Sequence, residues 1–124
     1  MDPRSETRTC VSCGRSFGWQ RRWARNWDRV RYCSRACRGR GVTATDRALE
    51  EAIAALLERR ARDATICPSE AARQVRPEDW REWMEATRRA ARRMVARGEL
   101  RMLQRGRDVD PDAARGPVRL GRPR

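Results

Sequence analysis

Four cysteines stand in two close pairs, Cys10-Val-Ser-Cys13 and Cys33-Ser-Arg-Ala-Cys37, separated by nineteen residues. A C-x2-C turn aims two sulfurs at one point, with backbone amides supporting the thiolates. A C-x3-C pair at i, i+4 presents two more from one face of a helical turn. Four thiolates close a tetrahedral shell, which suits one structural Zn²⁺ per chain. A closed shell leaves no position for water and is a poor candidate for hydrolytic catalysis. The same thiols would also serve a redox C-x2-C pair or an iron–sulfur cluster. The chain contains no His, which removes Ser-His-Asp triads, Cys-His dyads and H-E-x-x-H metal sites. No glycine-rich phosphate loop and no small-molecule substrate site is evident, so an enzyme is not expected.

The fifth cysteine, Cys67, lies between Ile66 and Pro68. It reads as a small, partly buried residue at a helix start. A thiol made reactive by that helix N-terminus, or an extra metal ligand, are the other readings.

The elements that must position these thiols are built from an unusual composition. The chain has 124 residues, with 30 basic side chains, all Arg, against 17 acids, a formal charge of +13. Such a balance favours polyanionic partners, nucleic acid first (DNA or RNA) and an acidic protein second. Leu, Ile, Val and Phe supply only 16 residues, a fraction low enough to flag disorder. Five Trp and a metal-binding cysteine set argue the other way: metal free energy becomes folding free energy in a module too small to bury a core. Met1 to Thr9 has no apolar stretch of a signal peptide. The longest apolar run, Ala52 to Leu57, is far too short to span a membrane. The expectation is a cytoplasmic protein with no membrane contact, where paired cysteines bind metal more often than they form disulfides.

Residues 1–42 form the first predicted module. They carry the four paired cysteines and a formal balance of +8, about +6 once four thiolates and Zn²⁺ are counted. Trp19, Trp23 and Trp27 recur at i, i+4, i+8, which predicts three rings on one side of a helix. Arg21, Arg22, Arg25, Arg29 and Arg31 interleave with them. The Trp set and Tyr32 read as a miniature core around the metal. With a ring left exposed, they also read as a stacking and phosphate-contact surface. The segment Cys10-x-x-Cys13-Gly-Arg, Phe17-x-Trp19, Arg22-Trp23, Asn26-Trp27 and Val30-x-Tyr32-Cys33-Ser34-x-x-Cys37-Arg38 resembles domain-of-unknown-function family 2256 over about residues 8 to 40. That resemblance implies a small zinc-ribbon-like fold and no active site.

Residues 43–124 form the second. Gly39 and Gly41 separate it from the first, and Thr45 is placed to cap a helix running to Arg62 on a stripe of Leu49, Ile53, Leu56 and Leu57. A short extended piece, Ala64–Cys67, precedes a helix from Pro68 to about Val75. A third helix is predicted from Pro77 to Arg97. Its apolar positions are Trp80, Trp83, Met84, Thr87, Ala90, Ala91, Met94 and Val95, and its expected solvent face includes Arg81, Glu85, Arg88, Arg89, Arg92 and Arg93. Two strands follow, Leu100–Arg105 and Pro117–Leu120, around a turn-rich loop. Helix, strand, two helices and a hairpin is the order of a winged helix. Cys67-Pro-Ser-Glu, Glu78-Asp-Trp-Arg, Gly98-Glu-Leu and Gly116-Pro-Val-Arg-Leu120 make this module similar to domain-of-unknown-function family 3253, which implies winged-helix character.

The sequence therefore predicts an α+β protein of two modules: a four-cysteine zinc-ribbon or treble-clef-like unit, then a mainly helical winged helix-turn-helix. The predicted activity is nucleic-acid binding through backbone contacts. Its candidate residues are Arg21, Arg22, Arg25, Arg88, Arg92, Arg101, Arg105, Arg107 and Arg119. The competing reading is a protein–protein module that docks on an enzyme or ribosomal partner.

Overall fold

The computed structural model describes residues 2–124. It is a mixed α and β structure with four α-helices and two small sheets. The first sheet is a hairpin of β1 (Thr7–Thr9) and β2 (Ser16–Gly18), with Thr9 opposite Ser16. Its connection is the C-x2-C turn: the Cys10 N–H donates to the Arg15 carbonyl (2.8 Å) and the Gly14 N–H to the Cys10 carbonyl (3.0 Å). Gly14 takes φ +78°, a left-handed conformation open to glycine without steric cost.

The expected Trp helix is absent. Residues 21–23 and 27–29 form two separate 3-10 turns. Gln20 is extended and Asn26 sits at φ −140°, ψ 20°, so no continuous helical ladder passes through them. Trp23 and Trp27 still stack at 5.6 Å, with Phe17 edge-on to both. Trp27 is the buried member. Its indole N–H donates to Glu6 (3.0 Å) and the Arg8 guanidinium lies 4.3 Å from its ring. Trp23 and Trp27 are thus part of the core of a module with almost no aliphatic residues.

α1 (Arg35–Arg40) carries the last ligand-type cysteine, and the Ser34 hydroxyl caps it by accepting from the Cys37 N–H. α2 (Ala44–Glu58) starts earlier than predicted because Thr43, not Thr45, is the cap. Thr43 and Asp46 form a reciprocal capping box, 2.8 and 3.1 Å. β3 (Thr65–Ile66) and α3 (Pro68–Val75) follow as expected. The third predicted helix is broken. Asp79 accepts from Arg76 and from the Trp83 indole (2.9 and 3.3 Å). These side-chain bonds hold the chain out of a helical ladder, and the regular helix α4 begins only at Met84 and runs to Ala96 after a 3-10 turn at 80–83.

The second sheet joins β4 (Arg101–Gln104), β5 (Arg107–Asp108) and β6 (Arg119–Gly121) to β3 in the order β3-β6-β4-β5, all antiparallel. β5 lies in what the sequence reads as loop. The main core sits between this sheet and the helices. Leu49, Ile53 and Leu57 of α2 meet Ala90, Ala91 and Met94 of α4, with Ile66, Met102 and Leu120 from the sheet. Small residues on α4 let the helices approach closely, which is how so few aliphatic side chains suffice to fill the space. No helix among the described residues is long and apolar enough to cross a membrane.

The two-residue turn between β4 and β5 is Arg105-Gly106, with φ +54° and +77°. A hairpin of this length wants positive φ at both positions, and an arginine there is strained by roughly 1 kcal/mol. Arg105→Gly is expected to raise stability by up to about 1 kcal/mol in urea unfolding; a fall of that size would contradict the assigned turn.

Candidate metal centre and its arginine cap

The sulfurs of Cys10, Cys13, Cys33 and Cys37 all lie within 4.8 Å of one another. Cys13 and Cys33 are 3.8 Å apart, and Cys33 and Cys37 are 3.6 Å apart. A tetrahedral shell with metal–sulfur bonds of zinc length places its sulfurs about 3.8 Å apart. The donor set therefore fits one four-coordinate metal ion, and all four thiols are free. Cys67 is not part of the cluster. It precedes α3, where its N–H donates to Glu70 (2.8 Å) and its sulfur accepts from the Ser69 hydroxyl (3.0 Å).

The local electrostatics are uneven. Burial pushes the Cys33 thiol up to about 12 and raises Cys13 as well. Burial acts in the same direction on Cys10, but N–H groups of Cys13, Cys33 and Ser12 outweigh it and bring that thiol down to about 7. Cys10 therefore ionises ahead of Cys13 and Cys33. Loading a metal must displace protons from Cys13 and Cys33 near neutral pH, so the site holds metal more tightly as pH rises and releases it in acid.

The arginines of α4 contradict the expected solvent face. Arg89, Arg92 and Arg93 are only 4–5% exposed. All three reach the turn between Cys10 and Cys13. Arg92 Nε donates to the Cys13 carbonyl (2.8 Å), Arg93 donates to the Ser12 carbonyl (2.7 Å), and Arg89 donates to the Ser12 hydroxyl. That hydroxyl in turn donates to the Gly41 carbonyl (2.7 Å), tying in the end of α1. The turn directs its amides at the sulfurs, so its carbonyls face outward and would be buried without partners; guanidinium donors satisfy them. Arg93 is also held by Glu50 of α2 (2.7 Å), which pairs with Arg97 as well, and Arg92 pairs with Glu85 (3.1 Å). Gly14 completes the contact. A Cβ there would stand 2.5 Å from the Arg93 backbone nitrogen and 2.6 Å from the Arg92 carbonyl carbon.

Of the residues the sequence assigns to nucleic-acid contact, Arg92 lies in this buried junction and presents nothing to solvent. Arg88 is half-buried and donates to the Gly116 carbonyl (2.9 Å). Arg101 is occupied by the Arg122 carbonyl and Asp108, and Arg119 by Thr65. Arg105 and Arg107 are exposed at the hairpin tip, and Arg21, Arg22 and Arg25 are exposed on the cysteine module. Ser12, Arg89 and Arg93 are the positions sequence reasoning missed. The signal for Gly14 was present, as the glycine following the C-x2-C pair.

Gly14→Ala is expected to cost about 3 kcal/mol or more, since overpacking adds to the left-handed penalty. Arg93→Met strands the Ser12 carbonyl and should cost about 3 kcal/mol. Denaturant unfolding of the full chain measures both. A loss below about 0.5 kcal/mol for either would mean the junction does not hold in solution.

Comparison with family models places two matches along the chain. Residues 3–40 match the family described as "Uncharacterized protein conserved in bacteria (DUF2256)" and residues 46–123 match "Protein of unknown function (DUF3253)", in the order the resemblances imply. Comparison with curated proteins gives no match. The second match covers well over half of the residues, and the chain belongs to the DUF3253 family, with a DUF2256 unit joined ahead of it.

Proposed function

We propose that the protein is a zinc-stabilised nucleic-acid-binding adaptor and not an enzyme. The observation that carries this reading is the density of exposed arginines without an acidic partner on the cysteine module. In the cysteine module only Arg4 and Arg8 take part in ion pairs among the described residues, with Asp2 and Glu6. Arg15, Arg21, Arg22, Arg25, Arg29, Arg31 and Arg35 are exposed without an acidic partner, as are Arg38 and Arg40. In the rest of the chain, about twice as long, Arg60, Arg76, Arg92, Arg93, Arg97, Arg101 and Arg124 are paired with acids, while Arg47, Arg59, Arg62, Arg73, Arg81, Arg105, Arg107, Arg115 and Arg119 are exposed without an acidic partner. Uncompensated like charge on one module destabilises it and is relieved by a polyanion.

Zinc is the metal the donor chemistry favours, since four thiolates at tetrahedral spacing match its preference. With all four positions filled by sulfur it acts as a structural ion. Its shell leaves the module positive, because nine free arginines outweigh the double negative charge of the tetrathiolate site.

In this reading residues 43–124 are a winged helix. The order α2, β3, α3, α4, β4, β6 and the central place of β6 beside β3 and β4 support it. The helix that would enter a major groove is then α4. Its Arg89, Arg92 and Arg93 are already committed to the metal turn, and Glu85 stands in its first turn. Contact with phosphates therefore comes from the arginines of the metal module and the hairpin tip at Arg105 and Arg107, with little base reading.

The test is capture of random DNA and RNA fragments by the metal-loaded protein at two salt concentrations. Binding that falls steeply with salt is expected from counterion release. No capture at low salt, or capture indifferent to salt, would turn the reading toward a protein partner. Cys33→Ser is expected to lose the bound metal and unfold the module, with metal content read by atomic absorption; one tightly held zinc per chain in that variant would overturn the four-thiolate assignment.

A further inference from the structure

The cysteine module contains a cavity of about 330 Å³. It is within the range of small-ligand sites, about 300–1,000 Å³. Arg22 and Trp23 line it from the first 3-10 turn, Arg29, Arg31 and Tyr32 from the segment leading to the second cysteine pair, and Arg35 and Arg38 from α1. Five arginines thus line one concavity, no acid lines it, and none of the five has an ion-pair partner among the described residues. By contrast, Arg93 and Arg97 meet at Glu50, and Arg101 and Arg124 meet at Asp108. The cavity also has aromatic walls. Trp23 is fixed by stacking on Trp27, and the Arg22 guanidinium lies over its ring, 4.5 Å from the centroid, so that the Arg22–Trp23 stack offers a planar cation for a base to rest on. Tyr32 stands immediately before Cys33, and Arg35 and Arg38 flank Cys37.

We propose that this cavity binds one nucleotide unit of a single-stranded nucleic acid. The phosphate sits among Arg29, Arg31, Arg35 and Arg38, and the unstacked base rests on the Trp23–Arg22 surface. The inference rests on the nucleic-acid reading and adds the form of the ligand. A duplex keeps its bases stacked inside and has none to offer an aromatic-walled concavity, whereas single strands are held by basic grooves with stacking side chains. The two walls carry the metal ligands Cys33 and Cys37 between them, so metal loading fixes the arginines before the strand arrives and lowers the ordering cost of binding.

The experiment uses the full-length, zinc-loaded protein with a fluorescent ten-residue oligothymidylate, its uridylate counterpart and a twenty-base-pair duplex, read by anisotropy across a salt series. The expected result is tighter binding of the single strands than of the duplex. Arg35→Ala/Arg38→Ala should weaken single-strand binding tenfold or more and flatten the salt slope by about 1.4, the value for two lost phosphate contacts. Arg29→Ala/Arg31→Ala, off the ligand helix, should do the same, and both variants should retain zinc and native circular dichroism. Retained single-strand affinity in both folded variants, with the wild type still binding, would overturn the cavity assignment while leaving nucleic-acid binding through other surfaces intact. Equal competition by free thymidine monophosphate and by the oligothymidylate would overturn the strand assignment in favour of a free nucleotide. Absence of binding to all three probes at low salt would overturn both the cavity and the function it rests on.

Discussion

The contact between three buried arginines and one turn of backbone holds this protein together. Arg89, Arg92 and Arg93 leave one helix and end on Ser12 and Cys13, inside the turn that carries two metal-type ligands. Burying three guanidinium groups is costly unless their donors are met. Carbonyls freed by the turn, the Ser12 hydroxyl, Glu50 and Glu85 meet most of them. The arrangement needs a glycine at position 14, because the backbones approach too closely for any side chain. It also needs small residues beside the arginines on α4, where Ala90 and Ala91 face α2 and the sheet. One helix thus serves two cores, apolar on one side and polar on the other.

This junction constrains function. A helix whose basic face is buried against a neighbouring module cannot also lie in a nucleic-acid groove. Exposed arginines without an acidic partner are densest on the cysteine module, around the cavity between Trp23, Tyr32 and α1, with others along residues 43–124, Arg105 and Arg107 among them. Charge that looks evenly spread along the chain is sorted by the fold into paired and unpaired sets. In the function we propose, the cysteine module is the face presented to a polyanion, and the helical domain its support.

The cysteine cluster was legible from spacing alone, because ligand geometry dictates separations that the chain must respect. So were α3, with Pro68 at its start, and the apolar stripe of α2. The order of strands around β6 was only partly legible, since β5 spans two residues and carries no apolar alternation. The junction was not legible. Arginine on a helix reads as solvent-facing by type, and nothing in the periodicity of Arg89, Arg92 and Arg93 marks them as buried; only a partner far away in the sequence does so. The tryptophans illustrate a different failure. Their i, i+4 spacing matched a stack that exists for Trp23 and Trp27, but 3-10 turns and Phe17 produce it rather than a helix. The break before α4 depends on side-chain bonds to Asp79, which compete with the helix locally and escape an apolar pattern.

Amide hydrogen exchange across α4, before and after a chelator strips the metal from the full-length protein, tests the dependence of the helical domain on the metal turn. If the arginine junction couples them, exchange at residues 89–94 should accelerate together with that of residues 10–14 when the turn loses its ion. Unchanged protection in α4, with loss confined to the cysteine module, would contradict that coupling and leave two independently stable units.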